Sequence, residues 1–583
     1  MKKNNWTLLI ILIASAFLRF YGLNWGLPYP FHPDERNMAD AITRFSSSNL
    51  DPKFYAYGQF PLYLAYFTGK FFFSIIEKQN LDRLTFIQAI LSLRFWSALF
   101  STATIYVAYL ISKKLFSKKL FTVYCLLFTA TAVAFTPGLI QSAHFGTTES
   151  ILTFCFLIIT YLSLKILEKS TLKKFFLTAF FLGIALSSKI SAAIFVFPFT
   201  LVCLWQLKTQ NGIKKKLRLV LKFIFALSVT LSLTLVFSPY LVLAYKESRG
   251  TLLYEISVAQ GKSQVFYTRQ FINTVPILFQ LQKIFPYALG WPTFILGFLG
   301  FLFIILQLIK KNKNYPQITN YPAGWRDPAK GDGQLLITLI SFLVYFLSNA
   351  FLFTKWTRFM TPIFPFFSIF AAYLINRIIF LPKSKKLLTA YCLLFTAVSI
   401  VPGLLFSSIY FKPDIRLTAS EWIYQNIPSG SYVLSETANV VDIPILPPNY
   451  QLLITNYFLN PVSFDFYSLD ENPKVFERLL NELEKSDYIF IPSRRLFVNQ
   501  LRLPKRYPLT AKYYQLLFSG KLGFKEIKTF PPFPQLLNYS ITQLLFSDER
   551  SEETFTVFDH PVIRIYKKII PYNKSDYEKL FKI

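Results

Sequence analysis

Two adjacent carboxylates, Asp34 and Glu35, stand in the stretch His32-Pro33-Asp34-Glu35-Arg36, directly after the apolar run from Trp6 to Trp25. That run is apolar apart from Arg19, and it is long enough to cross a bilayer core of about 30 Å. Charge beside lipid is costly, so an acidic pair at the mouth of a span marks a candidate site. A third carboxylate, Glu149, closes the segment 144–149 (HFGTTE), again ahead of an apolar run. Cations occupy the same kind of position: Arg36, Lys53, Lys189, Arg269, Lys355 and Arg358 all lie between apolar runs, as does His144. A positioned Asp can take the proton of an attacking hydroxyl. Arg or Lys can receive the charge that develops on a departing phosphate. Carboxylates also bind hard divalent cations, so Mg²⁺ or Mn²⁺ on Asp34, Glu35 and Glu149 stays open, and no other cofactor is indicated.

Each of these residues has a plainer reading. Glu35 can serve as the early acidic residue of a helix, and Glu149 likewise. Arg358 can be an interfacial anchor whose head reaches water. Arg94 reads as structural, pairing with a carboxylate near the membrane surface. His144 reads as a loop hydrogen-bonder, and Asp559-His560-Pro561 as a turn.

The elements that must position these residues are membrane spans. The chain has 583 residues, 53% of them hydrophobic and 18% aromatic, with a mean hydropathy of +0.39. That excludes an ordinary water-soluble enzyme. Charge divides the chain: residues 1–411 hold 41 basic and 12 acidic residues, whereas 412–583 hold 21 and 19. The excess sits between spans, so it is a topology signal and calls for no nucleic-acid partner.

Eleven spans are expected, at 6–24, 86–111, 119–138, 150–168, 175–188, 190–207, 223–244, 286–309, 334–353, 361–380 and 387–410. With the N-terminus inside, Lys113, Lys114, Lys118 and Lys119, then Lys169, Lys173 and Lys174, then Lys214–Lys216 all fall on the cytoplasmic side, as the positive-inside rule requires. So do Lys310, Lys311 and Lys313, and Lys383, Lys385 and Lys386. The run 60–76 begins with Pro61 and carries Lys70, so it reads as a helix lying at the outer interface, with a twelfth span as the alternative. Residues 1–411 form the membrane domain, and an odd span count leaves 412–583 outside. That tail should be a small α/β domain: helix at 419–426, strands at 432–435 and 488–492, and a hairpin of 555–557 with 562–566. Residues 315–334 form a connector. Cys125, Cys155, Cys203 and Cys392 lie within apolar runs, so a disulfide framework is not expected.

In order and spacing these motifs resemble the GT-C superfamily of integral-membrane glycosyltransferases. The likeness is to the bacterial branch related to protein O-mannosyltransferases and the lipid A aminoarabinose transferase. It rests on 18–22 (LRFYG), 32–36 (HPDER), 61–63 (PLY), 94–99 (RFWSAL), 144–149 (HFGTTE), Ser188-Lys189 and 358–365 (RFMTPIFP). In the tail it rests on 419–428 (ASEWIYQNIP), 487–495 (DYIFIPSRR) and 553–561 (ETFTVFDHP).

The resemblance implies a multi-pass protein of the cytoplasmic (inner) membrane, with its C-terminal domain outside. It implies an inverting enzyme that moves a sugar, a mannose-like hexose or another pentose or hexose, from a polyprenyl-phosphate carrier to a hydroxyl of a protein, lipid or glycan. The first-loop carboxylate of the family falls on Asp34, with Glu35 beside it, and the second-loop acid on Glu149, where relatives mostly carry Asp. Many relatives begin the interfacial helix with Lys-Pro-Pro-Leu-Tyr, whose Lys meets the lipid phosphate. This chain reads Gly58-Gln59-Phe60-Pro61-Leu62-Tyr63, so Lys53, Lys355 or Arg358 must replace it. A flippase or exporter of lipid-linked sugar would need polar residues along a transmembrane groove, and a glycan-binding membrane protein would make Asp34 dispensable.

Overall fold

Pro61, Thr85 and Pro137 mark where three of the apolar runs start or break. The computed structural model describes residues 2–116, 122–311, 328–378, 385–436, 441–446, 457–533 and 547–582. Lys118, Lys119, Lys313, Lys383 and most of the 315–334 connector lie outside the described residues. The first ten helices are α1 (Lys2–Phe20), α2 (Pro33–Thr43), α3 (Phe60–Glu77), α4 (Phe86–Leu115), α5 (Thr122–Ala134), α6 (Pro137–His144), α7 (Glu149–Glu168), α8 (Leu172–Ser188), α9 (Val196–Thr209) and α10 (Ile213–Phe237). Long helices follow at Trp291–Lys311, Pro328–Ala350, Phe364–Ile378 and Lys385–Ser407.

The fold is a polytopic helical bundle with a small C-terminal sheet. Each segment expected to span contains helix among its described residues. Among the described residues eight helices are long and apolar enough to cross a membrane, or nine if α5 and α6 are one bent span. The apolar part of α1, Asn5–Phe20, is shorter, and α8 has 17 residues. Helix α3 starts at its proline, where a missing N–H costs nothing, and it is not among those eight. Helix α4 opens with a capping box: Thr85 Oγ1 accepts from the Gln88 amide at 3.3 Å, and Gln88 Oε1 from the Thr85 amide at 2.8 Å.

Pro137 breaks the third apolar run. It cannot donate to the preceding turn and disfavours helix in the residue before it, so α5 and α6 meet at 48°. Arg19 covers the exposed end of α5. Its guanidinium donates to the Ala134 carbonyl at 2.9 Å, Ser15 Oγ at 2.6 Å and Ser101 Oγ at 2.8 Å. The one charge in the first apolar run therefore joins three helices, hydrogen-bonded throughout and fully buried.

The chain divides into two compact units. The first is Met1–Asn24, Asp34–Ser263 and Thr274–Ser407; the second is Trp25–Pro33, Gln264–Asn273 and Ser408–Ile583. The second is built on a five-stranded sheet of β1 (Tyr432–Glu436), β2 (Asn460–Phe464), β3 (Tyr488–Ile491), β4 (Phe524–Phe530) and β5 (Ile563–Lys568), in the order β2-β1-β3-β5-β4. Strand β1 runs parallel to β2 and β3, whereas β5 is antiparallel to β3 and β4. Side chains alternate, as a strand buried on both faces requires. Leu434, Phe464 and Ile489 face the helices Pro473–Lys485 and Pro508–Phe518, and Val433, Phe490 and Ile565 face Ile415–Asn426.

The expected helix at 419–426 and strands at 432–435 and 488–492 are present within a residue or a few. The expected 555–557 with 562–566 hairpin is not. Thr554–Val557 is a helical turn, held by Val557 N to Glu553 O at 3.1 Å, and β5 pairs with strands far away in sequence. The chain does turn at Phe558-Asp559, as expected, but the turn is not a plain surface one. Asp559 and His560 are both buried: His560 Nδ1 lies 2.5 Å from Asp559 Oδ1, Nε2 lies 2.7 Å from Asp548 Oδ2, and the Tyr410 hydroxyl donates to Asp559 at 2.7 Å.

Burial alone would lower the His560 pKa, but Asp559 and Asp548 outweigh it and hold the imidazole up at about 10. A folded pKa above the unfolded one adds stability that is complete below about 6.5 and is lost as pH rises through the folded value. Thermal unfolding in detergent should therefore show a midpoint that falls between about pH 7 and 10, with the fall flattened in His560→Gln. Equal slopes in both proteins would remove His560 from this role.

Candidate active site

Asp34 lies in the first turn of α2, behind Pro33, and its carboxylate is ion-paired with the Arg358 guanidinium. Arg358 sits in the short helical turn Thr357–Met360. Both side chains keep about a quarter of their surface exposed, 23% and 25%. A half-solvated pair of this kind can be exchanged for another partner at modest cost.

Glu35 is different. It is fully buried, and Arg94 is 2% exposed. Its Oε1 and Oε2 accept from Arg94 Nε and Nη2, both at 2.7 Å, and Oε1 also accepts from the Gly146 amide at 2.7 Å. Arg94 Nη1 donates to the Leu23 carbonyl at 2.8 Å. Arg94 does pair with a carboxylate, then, and the bidentate geometry is the strong form of such a pair. Gly146 must be glycine here: a Cβ would stand 2.5 Å from Leu93 Cβ and 3.2 Å from Glu35 Oε1. His144 is buried nearby, its ring nitrogens 2.8 and 3.0 Å from the carbonyls of Ile140 and Tyr21.

Lys189 ends α8 in extended backbone, with its ammonium 5.0 Å from the Tyr57 ring centre and 5.4 Å from that of Phe359. Arg358 lies 4.7 Å from the Trp356 ring and 5.9 Å from Phe359, so the two cations share one aromatic ring. Tyr57 is fixed by its neighbour. The Gly58 amide donates to the Ser188 carbonyl at 3.0 Å, and a Cβ there would fall 2.0 Å from the Ser187 carbonyl oxygen. Glu255 feels Lys189 electrostatically; burial raises its carboxyl above the usual range and Lys189 opposes that.

Glu149 is the first residue of α7, buried, within electrostatic range of Tyr345. Among the described residues its carboxylate forms no ion pair. The Tyr345 hydroxyl donates to the Phe359 carbonyl at 2.9 Å. Asp34, Arg358, Lys189 and Glu149 therefore all connect to the Trp356–Phe359 segment or its partners.

Other residues named from sequence have settings of their own. Lys53 is exposed and paired with Asp51 at 2.8 Å, and Arg36 is exposed. Lys355 is buried, donates to the Phe353 carbonyl at 3.0 Å, and burial lowers its pKa. Arg269 belongs to the second unit: it lies between the rings of Tyr467 and Tyr507, at 5.2 and 4.7 Å, and pairs with Glu471 at 2.9 Å. Tyr57, Trp356 and Phe359 were not singled out by sequence. Phe359 lies inside the 358–365 motif, but 65 phenylalanines hide any one of them. Among the described residues Asp34, Glu35 and Glu149 do not gather into a cation site.

Residues 83–242, from just ahead of α4 to just beyond α10, match the family described as "Dolichyl-phosphate-mannose-protein mannosyltransferase". The match spans 160 of the 583 residues, so the likeness is one of this stretch. The matched stretch includes Arg94, His144, Glu149 and Lys189. Its fold is also similar to solved structures. One is the oligosaccharyltransferase of Archaeoglobus fulgidus tethered with an acceptor peptide containing the NVT sequon, at 12% identity over 96% of this chain and 88% of that one, TM-score 0.43. Another is ArnT from Cupriavidus metallidurans bound to undecaprenyl phosphate, at 13% over 85% and 94%, TM-score 0.42. A third is the S. cerevisiae protein O-mannosyltransferase Pmt1-Pmt2 complex bound to the sugar donor, at 18% over 42% and 34%, TM-score 0.33. At TM-scores below 0.5 no residue correspondence follows from these. No curated protein matches by sequence.

Proposed function

We propose that this protein is a GT-C-type glycosyltransferase that moves a sugar from a polyprenyl-phosphate carrier to a hydroxyl acceptor at the outer face of the cytoplasmic membrane, with inversion. The observation that carries the reading is the Asp34–Arg358 pair, with Lys189 beside the same Phe359 ring. One carboxylate and two cations in one place suit a reaction that removes a proton and releases a phosphate. The family description names a sugar carried on a lipid phosphate, which supports that donor class.

In this reading Arg358 turns from Asp34 to the donor phosphate, where Lys189 adds a second positive charge. Asp34, released, accepts the proton of the acceptor hydroxyl. The acceptor oxygen bonds to the anomeric carbon as the bond from that carbon to the phosphate oxygen breaks. The leaving group departs as polyprenyl phosphate. Glu35 touches neither reactant; through Arg94 and Gly146 it fixes the turn that carries Asp34. No step is assigned to a metal ion.

The test is turnover of a panel of polyprenyl-phosphate sugars by purified protein in lipid, followed through release of polyprenyl phosphate and the anomeric configuration of the product. One donor turned over with inversion is expected. Donor binding without turnover across a broad acceptor panel would move the reading to a lipid-linked-sugar flippase.

A further inference from the structure

Helix α7 is twenty residues long, so its last turn lies about 30 Å from Glu149. Six lysines gather around that last turn: Lys114 from α4, Lys165 and Lys169 at the end of α7, Lys173 and Lys174 at the start of α8, and Lys222 from α10. Lys174 donates to the carbonyls of Lys165 and Lys169 at 2.6 and 2.7 Å, and Lys222 donates to the Ser170 carbonyl at 2.6 Å. Lys114, Lys165 and Lys169 all act electrostatically on Lys174. The carboxylate among them is Glu168, and it is already taken: Lys114 donates to both its oxygens, at 2.8 and 2.6 Å, and the Gln334 amide to one at 3.1 Å. Among the described residues no ion pair reaches Lys165, Lys169, Lys173, Lys174 or Lys222.

The carbonyls at the end of α7 account for Lys174 and Lys222 as helix-end cations. Lys165 lies 5.9 Å from the Tyr161 ring centre and within electrostatic range of Glu168, which leaves Lys169 and Lys173 unaccounted for, beside like charge. The positive-inside rule gives these lysines a side of the membrane but not a common address on four helices. Apolar side chains flank the cluster and are open to the surroundings: Leu172 is 53% exposed, Phe176 45% and Leu221 58%. A ligand that fits both parts has a phosphate head and hydrocarbon chains. We propose that the lysines gathered at the ends of α4 and α7, the start of α8 and the third turn of α10 form a binding site for the headgroup of an anionic phospholipid, remote from the Asp34 site.

The test uses the full chain in neutral phosphatidylcholine, titrated with phosphatidylglycerol, with retained lipid counted by native mass spectrometry. The triple variant Lys165→Gln/Lys169→Gln/Lys173→Gln should hold phosphatidylglycerol at least about tenfold more weakly than wild type, and the matched triple Lys214→Gln/Lys215→Gln/Lys216→Gln should stay within about twofold. Equal losses in both triples would mean general surface potential and overturn the site, as would no loss in the first. If the first triple fails to fold, the exposed single variant Lys173→Gln should still weaken retention by about threefold, and no change there counts against the proposal. Inorganic phosphate in excess should not displace the lipid; displacement would reassign the cluster to a soluble anion.

Discussion

Asp34→Asn should reduce sugar transfer by about 10²- to 10⁴-fold, the range for losing a general base, while donor affinity holds or tightens. The substitution is nearly isosteric, so the first turn of α2 keeps its shape. What it removes is the negative charge that receives the acceptor proton and pairs with Arg358. Once that pair is gone, Arg358 is available to the donor phosphate without first being exchanged. The loss should therefore fall on kcat, with KM for the donor unchanged or lower, the pattern of an interaction made in the transition state alone. Arg358→Gln should do the reverse in part: donor KM rises because a phosphate contact is lost. The kinetics of both variants, measured side by side in lipid, separate the two roles. If Asp34→Asn turns over as fast as wild type, the enzyme reading survives but Asp34 is not the base. If it raises donor KM with kcat intact, Asp34 contributes only to binding.

The helical half was legible because membrane spans are written locally. Apolar runs of about twenty residues, bounded by lysines and prolines, contain helix among the described residues of each expected segment, although only eight helices, or nine with the bent pair, are long and apolar enough to cross. The bend was not legible from hydropathy alone, since the run 119–138 is apolar on both sides of Pro137. The charge on Arg19 was visible as an anomaly, but its acceptors are carbonyls that exist only because α5 stops at Ala134.

In the tail, β1 and β3 were readable as short apolar runs. The β5 segment was also read as a strand and then given the wrong partner. Ile563–Lys568 pairs with Tyr488–Ile491, some 75 residues earlier, and nothing in the local sequence carries that register. At the site, residue type and position between spans could name Lys53, Arg269, Lys355 and Arg358 alike. Only packing separates Arg358, which meets Asp34, from Arg269, which is held by Tyr467, Tyr507 and Glu471.

Glu35 tests whether adjacency in sequence was misleading. It stands next to Asp34 and has the same chemistry, yet both its oxygens are occupied inside a closed ion pair. Removing one partner of a buried pair leaves the other charge without compensation, which costs about 3–5 kcal/mol. Glu35→Gln should therefore lower stability by an amount of that order, because Arg94, at 2% exposure, keeps its charge and loses its counterion. Gln can still accept from one guanidinium N–H or from the Gly146 amide, so the lower end of the range is expected. Glu35→Leu/Arg94→Met, which removes both charges at similar volume, should recover much of the loss, since replacing a buried pair by apolar groups is often near neutral. Unfolding midpoints of wild type, the single variants and the double variant in one detergent give the coupling directly. A catalytic Glu35 would behave otherwise: Glu35→Gln would abolish transfer with its unfolding midpoint unchanged, and the double variant would recover nothing. A positioning Glu35 loses stability and activity together and regains stability in the double variant, because what Asp34 needs from it is a fixed turn.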